Sequence, residues 1–136
     1  SSAASDVYKR QRYDYEEENN RSLGIRLTDS SHSFLILGDA QSKSESAMLN
    51  ENLDLSADVY MVSHHGSASS STEKFLRAVH PAFAVISVGA DNDYGHPAQK
   101  TLSRLEAQDI QILRTDLSGT ITAYSTPDTL TWSTER

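Results

Sequence analysis

The run from Ala82 to Val88, AFAVISV, is almost wholly apolar. A strand with no polar face has to be covered on both sides, so the chain must build layers around a sheet. The flanking segments fit that demand. Ser22–Leu27 and Ser33–Leu37 are strand-like runs joined by a hairpin-type connection, and Ala57–Val62 is a further strand. Helical composition runs from Lys43 to Leu53, with Ala47, Met48, Leu49 and Leu53 as its apolar side. Ser70-Ser71-Thr72-Glu73 has the form of a capping box, with Ser70 at the N-cap and Glu73 at N3, opening a helix that buries Phe75, Leu76 and Val79. Pro81 ends that helix. Pro97 is placed at the first position of another, with Thr101, Leu102 and Leu105 as the buried stripe. Ile110–Leu113 and Thr120–Tyr124 are expected to pair around the turn Asp116-Leu117-Ser118-Gly119, and a short strand is possible at Thr129–Trp132. The expected class is α/β.

Residues 1–19 break the pattern. Ser1–Ser5 is of low complexity and Asp14–Asn19 is an acidic linker without apolar period. Between them, Asp6-Val7-Tyr8-Lys9-Arg10-Gln11 looks like the translated end of a transposon used in sequencing libraries. Residues 1–11 are therefore expected to be a disordered assembly scar, 12–19 a linker, and 20–136 the C-terminal portion of a domain that extends upstream.

Twelve Lys and Arg against nineteen Asp and Glu give a net charge of −7. That excludes a broad electrostatic grip on nucleic acid, which needs basic stripes. With no cysteine there is neither a thiolate metal site nor a cysteine nucleophile, so any metal falls to His, Asp or Glu.

Three apolar strands each run into an unusual polar cluster: Leu37-Gly38-Asp39, Ser63-His64-His65-Gly66-Ser67, and Gly89 through Tyr94-Gly95-His96-Pro97. Neighbouring strand ends in α/β layers deliver their loops to one edge, where ligands bind. One carboxylate and three imidazoles could converge there, a donor set suited to zinc or manganese without sulfur. Each piece has a plainer reading. Asp39 reads alone as a helix cap. The histidine pair reads equally as an exposed stretch of a serine-rich loop, and His96 as a loop residue or a positioned acid. Ser67, Ser69, Ser70 and Ser71 offer either an anion seat beside a helix N-terminus or simple linker and cap. Asp116 reads as a turn former, and His32 and His80 as surface or helix-end residues.

In their order, these clusters, with Asn19-Asn20-Arg21-Ser22-Leu23, Ile86-Ser87-Val88-Gly89 and Arg114-Thr115-Asp116, closely resemble the C-terminal half of one domain. It is the metallo-β-lactamase-fold domain of the ComEC family, the DNA-uptake channel proteins of competent bacteria. Free-standing competence-type hydrolases share it. The resemblance covers residues 19–124 and implies an αββα sandwich with two divalent metal ions, Zn²⁺ or Mn²⁺. It makes Asp39 the carboxylate bridging both metals and His65 the last histidine ligand. His64 becomes a neighbour touching substrate. His96 would hold a phosphate or protonate the leaving oxygen, and Ser67, from the serine-rich loop, is a further candidate to contact the phosphate. The leading H-x-H-x-D-H motif of the family is absent, since no HxH or DH occurs in the chain. It is expected upstream of Asn20, so the fragment alone is expected to be inactive.

The function implied is phosphodiester hydrolysis, nuclease-like and linked to DNA uptake, with DNA or another phosphodiester as substrate. Upstream transmembrane segments of the same chain would be the partner. The parent is then a bacterial inner-membrane protein carrying this domain on the outer face. Two rivals are a free-standing cytoplasmic or secreted hydrolase of another phosphoester, and a degenerate, non-catalytic scaffold domain of a membrane channel.

Overall fold

The computed structural model describes residues 4–8, 24–29 and 31–136. Six strands form one sheet in the order β1-β2-β3-β4-β5-β6: Ala4–Tyr8, Gly24–Asp29, His32–Ile36, Val59–Met61, Phe83–Ile86 and Gln111–Arg114. The first three pair antiparallel, and β3 to β6 run parallel. The parallel strands are connected through α1 (Ser42–Asn50), α2 (Glu73–Val79) and α3 (Gln99–Ala107). A single helical turn, α4 (Thr115–Ser118), leads to a separate hairpin of β7 (Ile121–Ser125) and β8 (Leu130–Thr134).

Register explains the core. Leu35, Tyr60, Ala84 and Ile112 lie side by side across four strands. With period-two alternation they share a face. Against them pack Met48 of α1, Phe75, Leu76 and Val79 of α2, and Leu105 of α3. The alternate rows are also apolar: Leu27-Phe34-Val59-Phe83 and Ile25-Ile36-Met61-Val85-Leu113. This second face meets the β7–β8 hairpin, where the Trp132 ring lies 5.1 Å from that of Phe83. Ile36 remains 37% exposed. The two-sided apolar pattern of Ala82–Val88 thus has its cause in a sheet clad by helices on one side and by the hairpin on part of the other.

Several expectations need correction. Ala4–Tyr8, expected to be disordered, forms a strand whose backbone pairs with β2. The acidic linker 12–19 and the start of the expected Ser22–Leu27 strand lie outside the described residues. The N-cap of α2 is Thr72, whose hydroxyl accepts from the Phe75 N–H, and Glu73 is the first helical residue rather than N3. Pro97 stands before the Ala98 N-cap of α3, not inside the helix. Most informative is β6, which does not pair with β7. It pairs in parallel with β5 as the last strand of the sheet, and the polar turn beside it winds into α4 instead of closing a hairpin.

At the end of β6, the Arg114 Nε and Nη2 donate to the two Asp116 carboxylate oxygens at 3.0 and 2.7 Å. These hydrogen bonds hold the Asp116 carboxyl below its ordinary range, outweighing a small burial penalty. A depressed folded-state pKa contributes stability above the unfolded value of 3.8, which is lost as pH falls through the folded value. Asp116→Asn is therefore expected to cost about 1 kcal/mol near neutrality. The difference from the parent should shrink in denaturation curves taken below that unfolded value.

Candidate functional site

The three polar clusters follow β3, β4 and β5, which are adjacent and parallel, so their loops emerge at one edge of the sheet. Gly38-Asp39 leaves β3, the tight turn Ser63–Gly66 leaves β4, and Ser87 to Pro97 leaves β5. The His64 N–H donates to the Gly38 carbonyl at 2.9 Å, which joins the first loop to the second.

The turn is conformationally costly. His64 and His65 both lie in the left-handed region, at φ 52° and 53°, and Gly66 follows at φ 85°. Left-handed backbone costs a side-chain-bearing residue about 1–2 kcal/mol, so two in succession need support from outside the turn. That support comes from the start of α3 and from beneath the turn. The Gly66 carbonyl accepts from Ala98 N at 2.9 Å, and the Ser67 carbonyl from the Thr101 hydroxyl at 3.1 Å. Beneath the turn, the Tyr60 hydroxyl accepts from the Ser63 N–H at 3.2 Å and bonds the Ser63 and Ser71 hydroxyls at 3.0 and 2.8 Å. Burial, together with the nearby Glu45, pushes the Tyr60 phenol up to about 12, so it stays protonated and available to this network.

The turn sends its two imidazoles to different places. His65 Nδ1–H donates to the Ser87 carbonyl at 2.7 Å, since a carbonyl can only accept. In the neutral form of the ring the lone pair then falls on Nε2, which stands 3.9 Å from Asp39 Oδ1. His64 turns instead toward Gln41, whose Nε2 lies 3.4 Å from its Nδ1, and toward His96, with ring centroids 5.8 Å apart. His96 also stacks on Tyr94 at 5.8 Å. Burial first, then the His64 and His65 charges, lowers the His96 pKa and favours its neutral form. A cleft of about 210 Å³ is lined by His65, Val88, Gly89, Asn92, Tyr94 and His96.

Asp39, His65, His64 and His96 are therefore neighbours, and of the two consecutive histidines His65 is the one facing Asp39. A carboxylate oxygen and a bare imidazole nitrogen are donors that Zn²⁺ and Mn²⁺ accept, and a carbonyl behind the imidazole is the usual way to orient such a ligand. Their 3.9 Å separation is within the ~4 Å that two ligands ~2.0–2.2 Å from one cation can span. They fit one edge of a metal centre. Among the described residues, no group of three or more His, Asp or Glu surrounds a common point.

The expected anion seat among the serines is already filled. Ser71 N and Thr72 N donate to the Glu45 carboxylate at 2.5 and 2.9 Å, while Ser70 and Ser71 are fully buried. The Ser67 hydroxyl bonds that of Ser69 at 2.9 Å. Sequence reasoning missed Glu45, Ser87, Gln41 and Asn92. Only Asn92 carried a signal, as an Asn in a glycine-containing loop, where side chains commonly bond nearby backbone.

No protein-family model matches the chain. It is 39% identical over 104 residues to ComE operon protein 3 of Bacillus subtilis (strain 168), covering 76% of this chain and 13% of that protein. It is 37% identical over 106 residues to Competence protein ComA of Neisseria gonorrhoeae, covering 77% and 15%. Recombination protein 2 of Haemophilus influenzae (strain ATCC 51907 / DSM 11121 / KW20 / Rd) shares 33% over 104 residues, covering 76% and 13%. The chain is homologous to one stretch of competence-related proteins. It spans about one seventh of the length of these relatives. Among its described residues, no helix is long and apolar enough to cross a membrane.

A Cβ at Gly66 would lie 2.7 Å from Pro97 Cβ, at a backbone angle that side-chain-bearing residues avoid. Gly66→Ala is expected to destabilise the protein by about 2 kcal/mol, because clash and left-handed strain act together. Urea denaturation measures the loss. An unchanged midpoint would show that the turn tolerates displacement from the start of α3.

Proposed function

We propose that this chain forms part of a metal-dependent phosphodiesterase domain acting in DNA uptake. One observation carries the reading. At the shared edge of three adjacent parallel strands, Asp39 faces the His65 Nε2, whose ring is fixed from behind by the Ser87 carbonyl. The competence names of the relatives support the biological setting. The metallo-β-lactamase sandwich implied by the sequence resemblance would supply the remaining ligands from a preceding segment and cover the second apolar sheet face.

Each residue then has a separable task. Asp39 would contribute a carboxylate, and His65 one nitrogen, to a divalent cation. A bound divalent cation supplies Lewis-acid polarisation of the phosphodiester and of the attacking water. His96 and His64 border the cleft and can hydrogen-bond the phosphoryl oxygens, with His96 in its neutral form poised to accept or relay a proton. The net charge of −7 assigns affinity for a polyanion to that local positive charge rather than to the protein surface. Two ligands alone hold a metal weakly, so the isolated chain is expected to be a poor catalyst.

In a chain extended to include the rest of the proposed domain, Asp39→Ala should remove both metals and abolish cleavage of a phosphodiester. His65→Ala should weaken one metal. His96→Ala should keep metal content and lower turnover about 100-fold, the usual contribution of a single acid–base group. Elemental analysis beside hydrolysis rates separates the cases. Full metal content and activity in Asp39→Ala would return Asp39 to a loop-capping role, and absence of metal from the parent would favour the non-catalytic scaffold.

A further inference from the structure

We propose that Tyr94, backed by His96, is a stacking platform for a nucleobase, placed so that one nucleotide reaches both it and the Asp39–His65 pair. The proposal rests on the phosphodiester reading above and specifies which part of such a substrate this side of the cleft receives.

Tyr94 is 83% exposed, an unusual position for a large aromatic ring. Its exposure does not come from a loose loop. The Asn92 side chain uses its full hydrogen-bonding capacity to close the segment on itself. Its Nδ2 donates to the Gly89 and His96 carbonyls at 3.0 and 2.7 Å, and its Oδ1 accepts from Tyr94 N and His96 N at 3.2 and 2.9 Å. Inside this clamp the Tyr94 and His96 rings lie 24° from parallel with centroids 5.8 Å apart. One face of the tyrosine is thus supported and the ring as a whole stands in solvent.

The chemistry around the ring selects the ligand. Val88 and Gly89 give the cleft an apolar floor, and at about 210 Å³ it has room for a small planar group rather than a duplex. Asp91 and Asp93, both exposed, flank the ring in the chain and repel phosphate from this end. His65, whose Nε2 faces Asp39, lines the same cleft, and a divalent cation held by that pair would make its side the one that receives phosphate. A ligand that is flat and neutral at one end and anionic at the other matches this polarity. A nucleotide with an unstacked base has that form, and aromatic stacking accepts every base because each has a π-face.

Adenosine, which lacks phosphate, tests the platform by itself in the chain as purified. Its titration should shift the Tyr94 and His96 ring resonances upfield and saturably. Tyr94→Ala should weaken adenosine binding fivefold or more, the range of base–aromatic stacking, whereas Tyr94→Phe should keep it within about twofold. Because the ring is exposed, neither change threatens folding. Unperturbed Tyr94 and His96 resonances, or equal affinity in Tyr94→Ala, would overturn the proposal. Ribose 5-phosphate with Mn²⁺, added to the chain extended to include the rest of the proposed domain, tests the phosphate side separately. Perturbation of His65 by that probe, with adenosine leaving Tyr94 untouched, would sink the platform and spare the phosphodiester reading. Adenosine at Tyr94, with His65 indifferent to ribose 5-phosphate and Mn²⁺, would establish the platform and sink the reading.

Discussion

The Glu45 carboxylate reaches from α1 to the backbone N–H groups of Ser71 and Thr72, with its side chain wholly removed from solvent. Burying a carboxylate is expensive unless its oxygens are satisfied. Burial indeed raises the Glu45 pKa, with the two N–H donors and the Arg104 charge pulling the other way. The same bonds satisfy N–H groups at the entry of α2 that would otherwise be orphaned. Removing the carboxylate would leave two donors in an interior that water does not reach, which is the costlier kind of loss. From this contact the serine loop acquires a fixed shape. Ser70 donates to the Ala40 carbonyl at 2.6 Å, Ser42 N to the Ser69 carbonyl at 3.0 Å, and Arg104 braces the Ala68 and Ser70 carbonyls from α3.

That fixed loop is what permits the strained turn before it. Ser71 bonds Tyr60, and Tyr60 holds Ser63, the residue at the entrance of the turn. The left-handed conformations of His64 and His65 are therefore sustained by buried polar groups on one side and by the start of α3 on the other. Strain of this kind is found where a side chain has to be aimed, and here it divides two consecutive imidazoles between two tasks. One meets the carboxylate at the end of β3, and the other meets the loop after β5.

Much of this was legible in the sequence, for identifiable reasons. A long apolar run at Ala82–Val88 required a covered sheet, and polar clusters directly after apolar strands marked the edge where loops gather. Asp39, His64, His65 and His96 each had a plainer reading alone, and it was their order along the chain, through the family resemblance, that singled them out. Other features depend on tertiary pairing that one sequence does not display. Asp116-Leu117-Ser118-Gly119 has the composition of a hairpin turn, but the Thr115 hydroxyl accepts from Val88 N at 2.8 Å and draws the segment toward the end of β5. Ser71 and Thr72 look like solvent-facing anion binders until a carboxylate from 26 and 27 residues earlier takes their N–H groups. The bond that fixes the His65 ring goes to the Ser87 backbone carbonyl, an atom that no side-chain pattern announces.

This framework, then, presents the Nε2 of a neutral His65 to Asp39 as a bare lone pair. Long-range proton–nitrogen correlation spectra of the histidine rings, recorded near neutral pH on the metal-free chain, observe that directly. His65 is expected as the Nδ1–H tautomer, its N–H hydrogen-bonded to the Ser87 carbonyl and its Nε2 unprotonated. A neutral His65 carrying its proton on Nε2 would contradict it, because the nitrogen facing Asp39 would then be a hydrogen-bond donor and not a ligand.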